Sequence, residues 1–169
     1  MSTKRLFFSL WPNDRQREQL RNVISPIAKL VEGRAVYRDG WHVTLAFVGD
    51  FPESRTSELQ AAAAEIPFEP FRLRFDHAEY WPRAKVGVLS PQRVPPELES
   101  LVGRLNGVLA DAGITPEDRV YRPHITIVRA ARPFETQRLA QPLMTEWTGF
   151  ELIESISSRG SSKYYPVKQ

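Results

Sequence analysis

The chain carries one four-residue frame twice, His42-Val43-Thr44-Leu45 and His124-Ile125-Thr126-Ile127, each after a matching run of elements. In an extended strand alternate side chains leave by opposite faces. His and Thr of each frame therefore share one face. Val43/Leu45 and Ile125/Ile127 share the other, which can join a core. Before the first frame come the strand-like Leu6-Phe7-Phe8-Ser9-Leu10 and apolar residues at helical spacing from Leu20 to Val31. Asn13 and Gln16 are placed for a capping box, Pro26 for a kink and Gly33 for a helix stop. A short strand near Val36 and a turn at Asp39-Gly40 lead to a motif strand predicted over Trp41 to Val48. Before the second frame come a strand from Lys85 to Leu89 and a helix after Pro95-Pro96. That helix carries Leu98, Leu101, Val102, Leu105, Val108, Leu109 and Ala112 on one face and stops at Gly113. Gly33 precedes His42 by 9 residues and Gly113 precedes His124 by 11.

The parallel continues beyond the frames. A helix predicted over about Ser54 to Ile66 and a strand at Phe71–Phe75 follow the first. A proline-interrupted segment from Pro133 to Pro142 and a strand at Phe150–Glu154 follow the second, and a strand at Lys163–Val167 closes the chain. The pattern predicts an α+β, bilobal fold. Its two lobes are antiparallel sheets related by a pseudo-twofold, with helices on the outer faces and the active-site cleft between them. With no low-complexity linker, residues 1–169 are expected to form one domain whose repeat halves run roughly 1–80 and 81–169. The cleft would then receive His42, Thr44, His124 and Thr126 together.

The chain has no cysteine, which excludes disulfides, thiolate catalysis and thiolate metal sites. No apolar run matches a signal peptide or a membrane span, so a cytoplasmic protein without membrane contact, taken as a monomer, is the expectation. Net charge is +3, and 18 of the 23 basic residues are arginine. Arginine's fork suits phosphate, though a compositional bias produces the same count. Metal binding by the two histidines is disfavoured, because their neighbours are threonines and a zinc site wants three or four protein ligands. A serine nucleophile lacks its Gly-x-Ser-x-Gly elbow. In-line attack on phosphorus needs less: a base for water, an acid for the leaving oxygen, and donors for the non-bridging oxygens. Two histidines and two threonines match that need. His77 lies outside both frames and is read as a surface or loop residue.

Three segments resemble the 2H phosphoesterase superfamily, and within it the bacterial RNA 2′,3′-cyclic phosphodiesterases, also known as 2′–5′ RNA ligases. They are Arg5-Leu-Phe-Phe-Ser-Leu-Trp-Pro12, Trp41-His-Val-Thr-Leu-Ala-Phe-Val-Gly49 and Tyr121-Arg-Pro-His-Ile-Thr-Ile-Val-Arg129. The resemblance implies hydrolysis of a 2′,3′-cyclic phosphate on RNA or a nucleotide to a 2′-phosphomonoester, with neither metal nor organic cofactor. It implies His42 as proton donor to O3′, His124 as proton acceptor from water, and Thr44 and Thr126 as holders of the phosphate oxygens. The frames alone do not distinguish acid from base. A 2′–5′ ligase, a phosphodiesterase on another cyclic or 2′–5′ linked substrate, and a non-catalytic RNA-binding module remain alternatives. Phe8 is a candidate for stacking a base, against a place in the core, and Arg122 and Arg129 are candidates for binding phosphate. Strand parity turns Arg129 away from His124 unless the strand twists or ends there. Tyr121, Trp41 and Trp81 either line the cleft or pack. A paired-histidine enzyme is expected to show a bell-shaped pH profile between roughly pH 5 and 8.

Overall fold

Alternation organises the first strand of the computed structural model, which describes residues 2–168. In β1 (Thr3–Leu10) Leu6, Phe8 and Leu10 enter the main hydrophobic core, while Phe7 and Ser9 leave by the other face. The helix α1 (Asp14–Ala28) opens with the expected capping box. Asn13 Oδ1 accepts from the Gln16 amide at 2.8 Å, and Gln16 Oε1 accepts from the Asn13 amide at 2.9 Å. Its end departs from expectation. Pro26 sits in the last turn, the helix stops at Ala28 rather than Gly33, and Leu30 is left 80% exposed. Gly33 instead packs closely against Val128 and the backbone of Arg129.

The remaining elements are β2 (Arg34–Ala35), β3 (Val43–Pro52), α2 (Thr56–Ala64), β4 (Phe71–Trp81), β5 (Val86–Pro91), α3 (Pro96–Asp111), β6 (Ile125–Arg129), β7 (Gln137–Trp147), β8 (Glu151–Ser158) and β9 (Ser161–Pro166). They form two sheets, in the orders β3-β1-β8-β9 and β2-β6-β5-β4-β7, and every pairing is antiparallel. The α+β class with antiparallel sheets agrees with the sequence reading. The sheets do not follow the halves of the chain, however. β4 leaves the first half to pair with β5, β8 leaves the second to pair with β1, and β2 edges the second sheet beside β6. Helices cross over as well: α1 lies against β6 and β7, and α3 against β3. One core therefore holds residues of both sheets and all three helices, from Leu6 and Leu20 to Leu105 and Trp147.

Two strands outrun their sequence signals. β4 continues past Phe75 to Trp81, so His77 is a half-buried strand residue rather than a loop residue. β7 spans most of the segment read as merely proline-interrupted. Pro142 is tolerated there because pairing with β4 jumps from Phe75↔Leu143 to His77↔Arg138, leaving residues 139–142 outside the ladder. Among the described residues no helix is long and apolar enough to cross a membrane.

Candidate active site

Each motif histidine stands one residue before its strand, β3 or β6, and is anchored in the same way. His42 Nδ1 lies 2.7 Å from the carbonyl of Gly40, and His124 Nδ1 lies 2.8 Å from that of Arg122. A carbonyl only accepts, so both rings carry their proton on Nδ1 and turn Nε2 to the other side. Thr44 Oγ1 is 3.1 Å from His42 Nε2. The two sides are tied directly, because Tyr121, three residues before His124, donates its hydroxyl to the Thr44 carbonyl at 2.8 Å. Burial pushes the Tyr121 hydroxyl well above its ordinary value, so it remains a donor.

Burial is also the main influence on both imidazoles. It pushes His42 down to about 4, against the opposing hydrogen bond to Gly40, and the charges of Arg129, His124 and Arg17 lower it further. His124 is lowered by burial and by the charges of Arg122 and Arg129, with Glu79 acting the other way. Arg129 thus acts on both rings. His42 sits in an aromatic pocket of Phe7 (4.9 Å between ring centroids), Tyr164 (5.2 Å) and Trp11 (5.9 Å). His124 lies against Trp81 at 4.2 Å, and the Arg122 guanidinium covers Trp81 at 4.4 Å while reaching Glu79 at 3.6 Å.

A bulge follows the Thr in each frame. On β3 the pairing steps from Ser9↔Thr44 to Phe8↔Ala46, skipping Leu45; on β6 it steps from Val88↔Thr126 to Gly87↔Val128, skipping Ile127. The extra residue reverses the alternation beyond it. Val128 consequently enters the core, and Arg129 swings to the face of His124, where Nη2 approaches the Tyr164 hydroxyl at 3.4 Å. A bulge, rather than a twist or the end of the strand, brings Arg129 to that face. On the first sheet the equivalent position is Phe47, 54% exposed and 6.3 Å from Phe7.

Phe8 requires correction. It is 1% exposed, packs on Phe150 at 5.9 Å and belongs to the core, so it offers no face to a base. Its neighbour Phe7 is the ring beside His42, and the alternation Leu6-Phe8-Leu10 was the signal that separates them. Arg122 stands at the site, while Trp41 is a core residue. Arg17 was missed. It is 6% exposed, donates to the carbonyls of Arg38 (2.6 Å) and Trp41 (3.2 Å), and lies 4.9 Å from the Trp11 ring. It thereby holds the turn that presents His42. A charged residue on the helix face of Leu20 and Ile24 was its only sequence signal. His77 and Asp76 lie outside this cluster, and among the described residues no three His, Asp or Glu side chains are grouped for a metal ion.

The chain is similar to known proteins over nearly its whole length. A family model described as LigT like Phosphoesterase matches residues 10–89. The chain is 31% identical over 170 residues to the RNA 2′,3′-cyclic phosphodiesterase of Escherichia coli (strain K12), covering 98% of this chain and 95% of the relative. It is 25% identical over 134 residues to the protein of the same name from Archaeoglobus fulgidus, covering 76% and 73%. The fold superposes on E. coli LigT complexed with 3′-AMP with a TM-score of 0.87 at 31% identity, over 99% of this chain and 97% of that one.

Proposed function

The chain belongs to the LigT-like phosphoesterases, and on that premise we propose that it hydrolyses 2′,3′-cyclic phosphates at RNA or nucleotide ends to 2′-phosphomonoesters. The observation that carries this reading is the matched anchoring of His42 and His124, each with Nδ1–H spent on a backbone carbonyl and Nε2 turned away from it. In this reading His124 Nε2 takes a proton from water as its oxygen bonds to phosphorus. The P–O3′ bond breaks, and His42 Nε2–H protonates the departing O3′. Thr44, Thr126 and Arg129 hold the non-bridging oxygens, which gain charge as attack proceeds.

The donor role requires a charged His42, whereas burial holds the free ring neutral at pH 7. An anionic phosphate set against the ring reverses that balance, since a nearby opposite charge favours the protonated form. Substrate binding thus arms the acid. Acid, base and oxyanion donors all come from side chains in this scheme, so turnover is expected to persist in EDTA.

The test is an oligonucleotide ending in a 2′,3′-cyclic phosphate, incubated in chelator, with the product resolved as 2′- or 3′-monoester. The 2′-monoester is expected. His42→Ala and His124→Ala should each lower turnover by at least about 10²-fold with the fold intact by circular dichroism. The double variant should lose little more than the worse single one, because the pair acts as a unit. Full activity in either single variant, or RNA binding with no change at the RNA end, would overturn the mechanism.

A further inference from the structure

The face that carries His124 does not end at the catalytic cluster. Thr126 on β6 aligns with Val88 on β5, and Val88 with Glu79 on β4. Two residues along β4, His77 aligns with Ser90 on β5 and with Arg138 on β7. Residues directly opposite in neighbouring strands point to the same side, so Thr126, Glu79, Ser90, His77 and Arg138 share one face. Arg74 joins them, because the register slip between Phe75 and His77 makes Asp76 an extra residue on β4. The Asp76 side chain is buried there. It accepts from His77 Nδ1 at 2.7 Å and from the Gln92 amide at 2.9 Å, and Arg74 approaches it at 3.6 Å. His77 is thereby held through Nδ1, and among the described residues its Nε2 has no hydrogen-bond partner.

We infer that this face is a track for the RNA strand behind the reacting end, with Arg74 and Arg138 on its phosphates and His77 Nε2 hydrogen-bonding to it. The inference rests on the activity proposed above and adds where the body of the substrate lies. The distribution of charge favours it. Arg74 and Arg138 are exposed, whereas Glu79, the acid nearest the catalytic histidine, is engaged by Arg122 at 3.6 Å and by the Ser90 hydroxyl. Arg72, facing Glu146 across β7, is left out of the track. Two strand spacings separate β6 from Arg74 on β4 and three separate it from Arg138 on β7, a reach of about 10 to 14 Å at ~4.8 Å each. That exceeds one stacked nucleotide at about 3.4 Å, so the arginines are placed for phosphates upstream of the cyclic one.

The experiment compares a 2′,3′-cyclic mononucleotide with a short oligonucleotide carrying the same end. Wild-type protein should favour the oligonucleotide in kcat/KM. Arg138→Glu and the double variant Arg74→Ala/Arg138→Ala should lower oligonucleotide kcat/KM about tenfold, mainly through KM, and leave the mononucleotide within about twofold. The salt slope for the oligonucleotide should become shallower by about one for each phosphate contact removed. His77→Gln should act in the same direction. Arg138 is exposed, and its single variant keeps the test independent of any folding loss around Asp76, which Arg74 approaches. Equal losses on both substrates, or no loss on either, overturn the track while the activity stands. A wild-type protein that opens neither substrate would overturn the activity itself.

Discussion

An imidazole anchored through Nδ1 and buried among aromatic rings has two ways to accept an anion: remain neutral and receive a hydrogen bond, or take up a proton. His42, held near 4 in the free protein, and His124, also lowered, are set for the second. Anion binding should therefore be coupled to proton uptake. For sulfate, whose charge is constant across the range, affinity should rise as pH falls from about 7.5 to 5, by up to about tenfold per unit for each ring that charges. Isothermal titration in several buffers measures this, and His42→Gln should remove part of the slope; a flat profile would refute the coupling. The sign for folding is opposite. An unfolded histidine protonates near its ordinary 6.5, before the buried ring does, so the free protein should lose stability as pH falls from there toward 4. The same depression moves the bell of kcat/KM to the acid side of the window of about pH 5–8 read from ordinary histidines. At this scale the sequence carried both histidines and both threonines, because alternation and repetition mark them. It also held the distinction between Phe7 and Phe8. The environment that shifts His42 was not legible, since Trp11, Tyr164 and Arg129 come from distant segments.

Strands and their irregularities decide where the charge at the site comes from. A bulge after Thr126 turns Arg129 inward, and β2 supports the backbone just beyond it. Gly33 has φ +149° and lies so close that an added Cβ would meet Val128 Cγ1 at 2.7 Å and the Arg129 carbonyl at 2.8 Å. Gly33→Ala should therefore strain its own backbone by about 1–3 kcal/mol and push β6 away. The expected readings are a Tm lower by about 5 °C or more, and a lower kcat/KM at temperatures where the variant is fully folded. An unchanged kcat/KM with a lowered Tm would show that β2 supports only the fold. Helix starts and amphipathic faces were legible, as the Asn13 capping box and the α3 stripe show. Three features were not. Leu30 and Val31 continue the helical period but lie beyond Pro26, where backbone hydrogen bonding ends the helix early. β7 hides behind Pro142, and nothing in Leu45 or Ile127 announces a bulge, because pairing with a remote strand creates it.

Across the whole molecule, the repeat read from sequence is real as a pattern but is not the unit of packing. β1 lies between β3 of its own half and β8 of the other, and β5 between β6 of its own half and β4 of the other. A half alone would expose a strand edge and the core face of every helix that crosses over, α1 toward β6 and β7, α3 toward β3. The single core then loses its continuity, and for about 80 residues the remaining burial is marginal against chain entropy. Tyr121 to Thr44 shows the same dependence at the site, since the segment leading to one histidine is bonded to the strand following the other. A cut in the β4–β5 turn, between Arg83 and Ala84, should leave two fragments that each lack cooperative thermal unfolding. Mixed in equal amounts, they should recover far-ultraviolet dichroism and cyclic phosphodiesterase turnover together, with a concentration-dependent midpoint. Either fragment melting cooperatively as a monomer would mean that the halves are independent lobes and that the exchanged strands are incidental to folding. Recovery of dichroism without turnover would instead place the β4–β5 turn itself among the features that set the spacing of the two histidines.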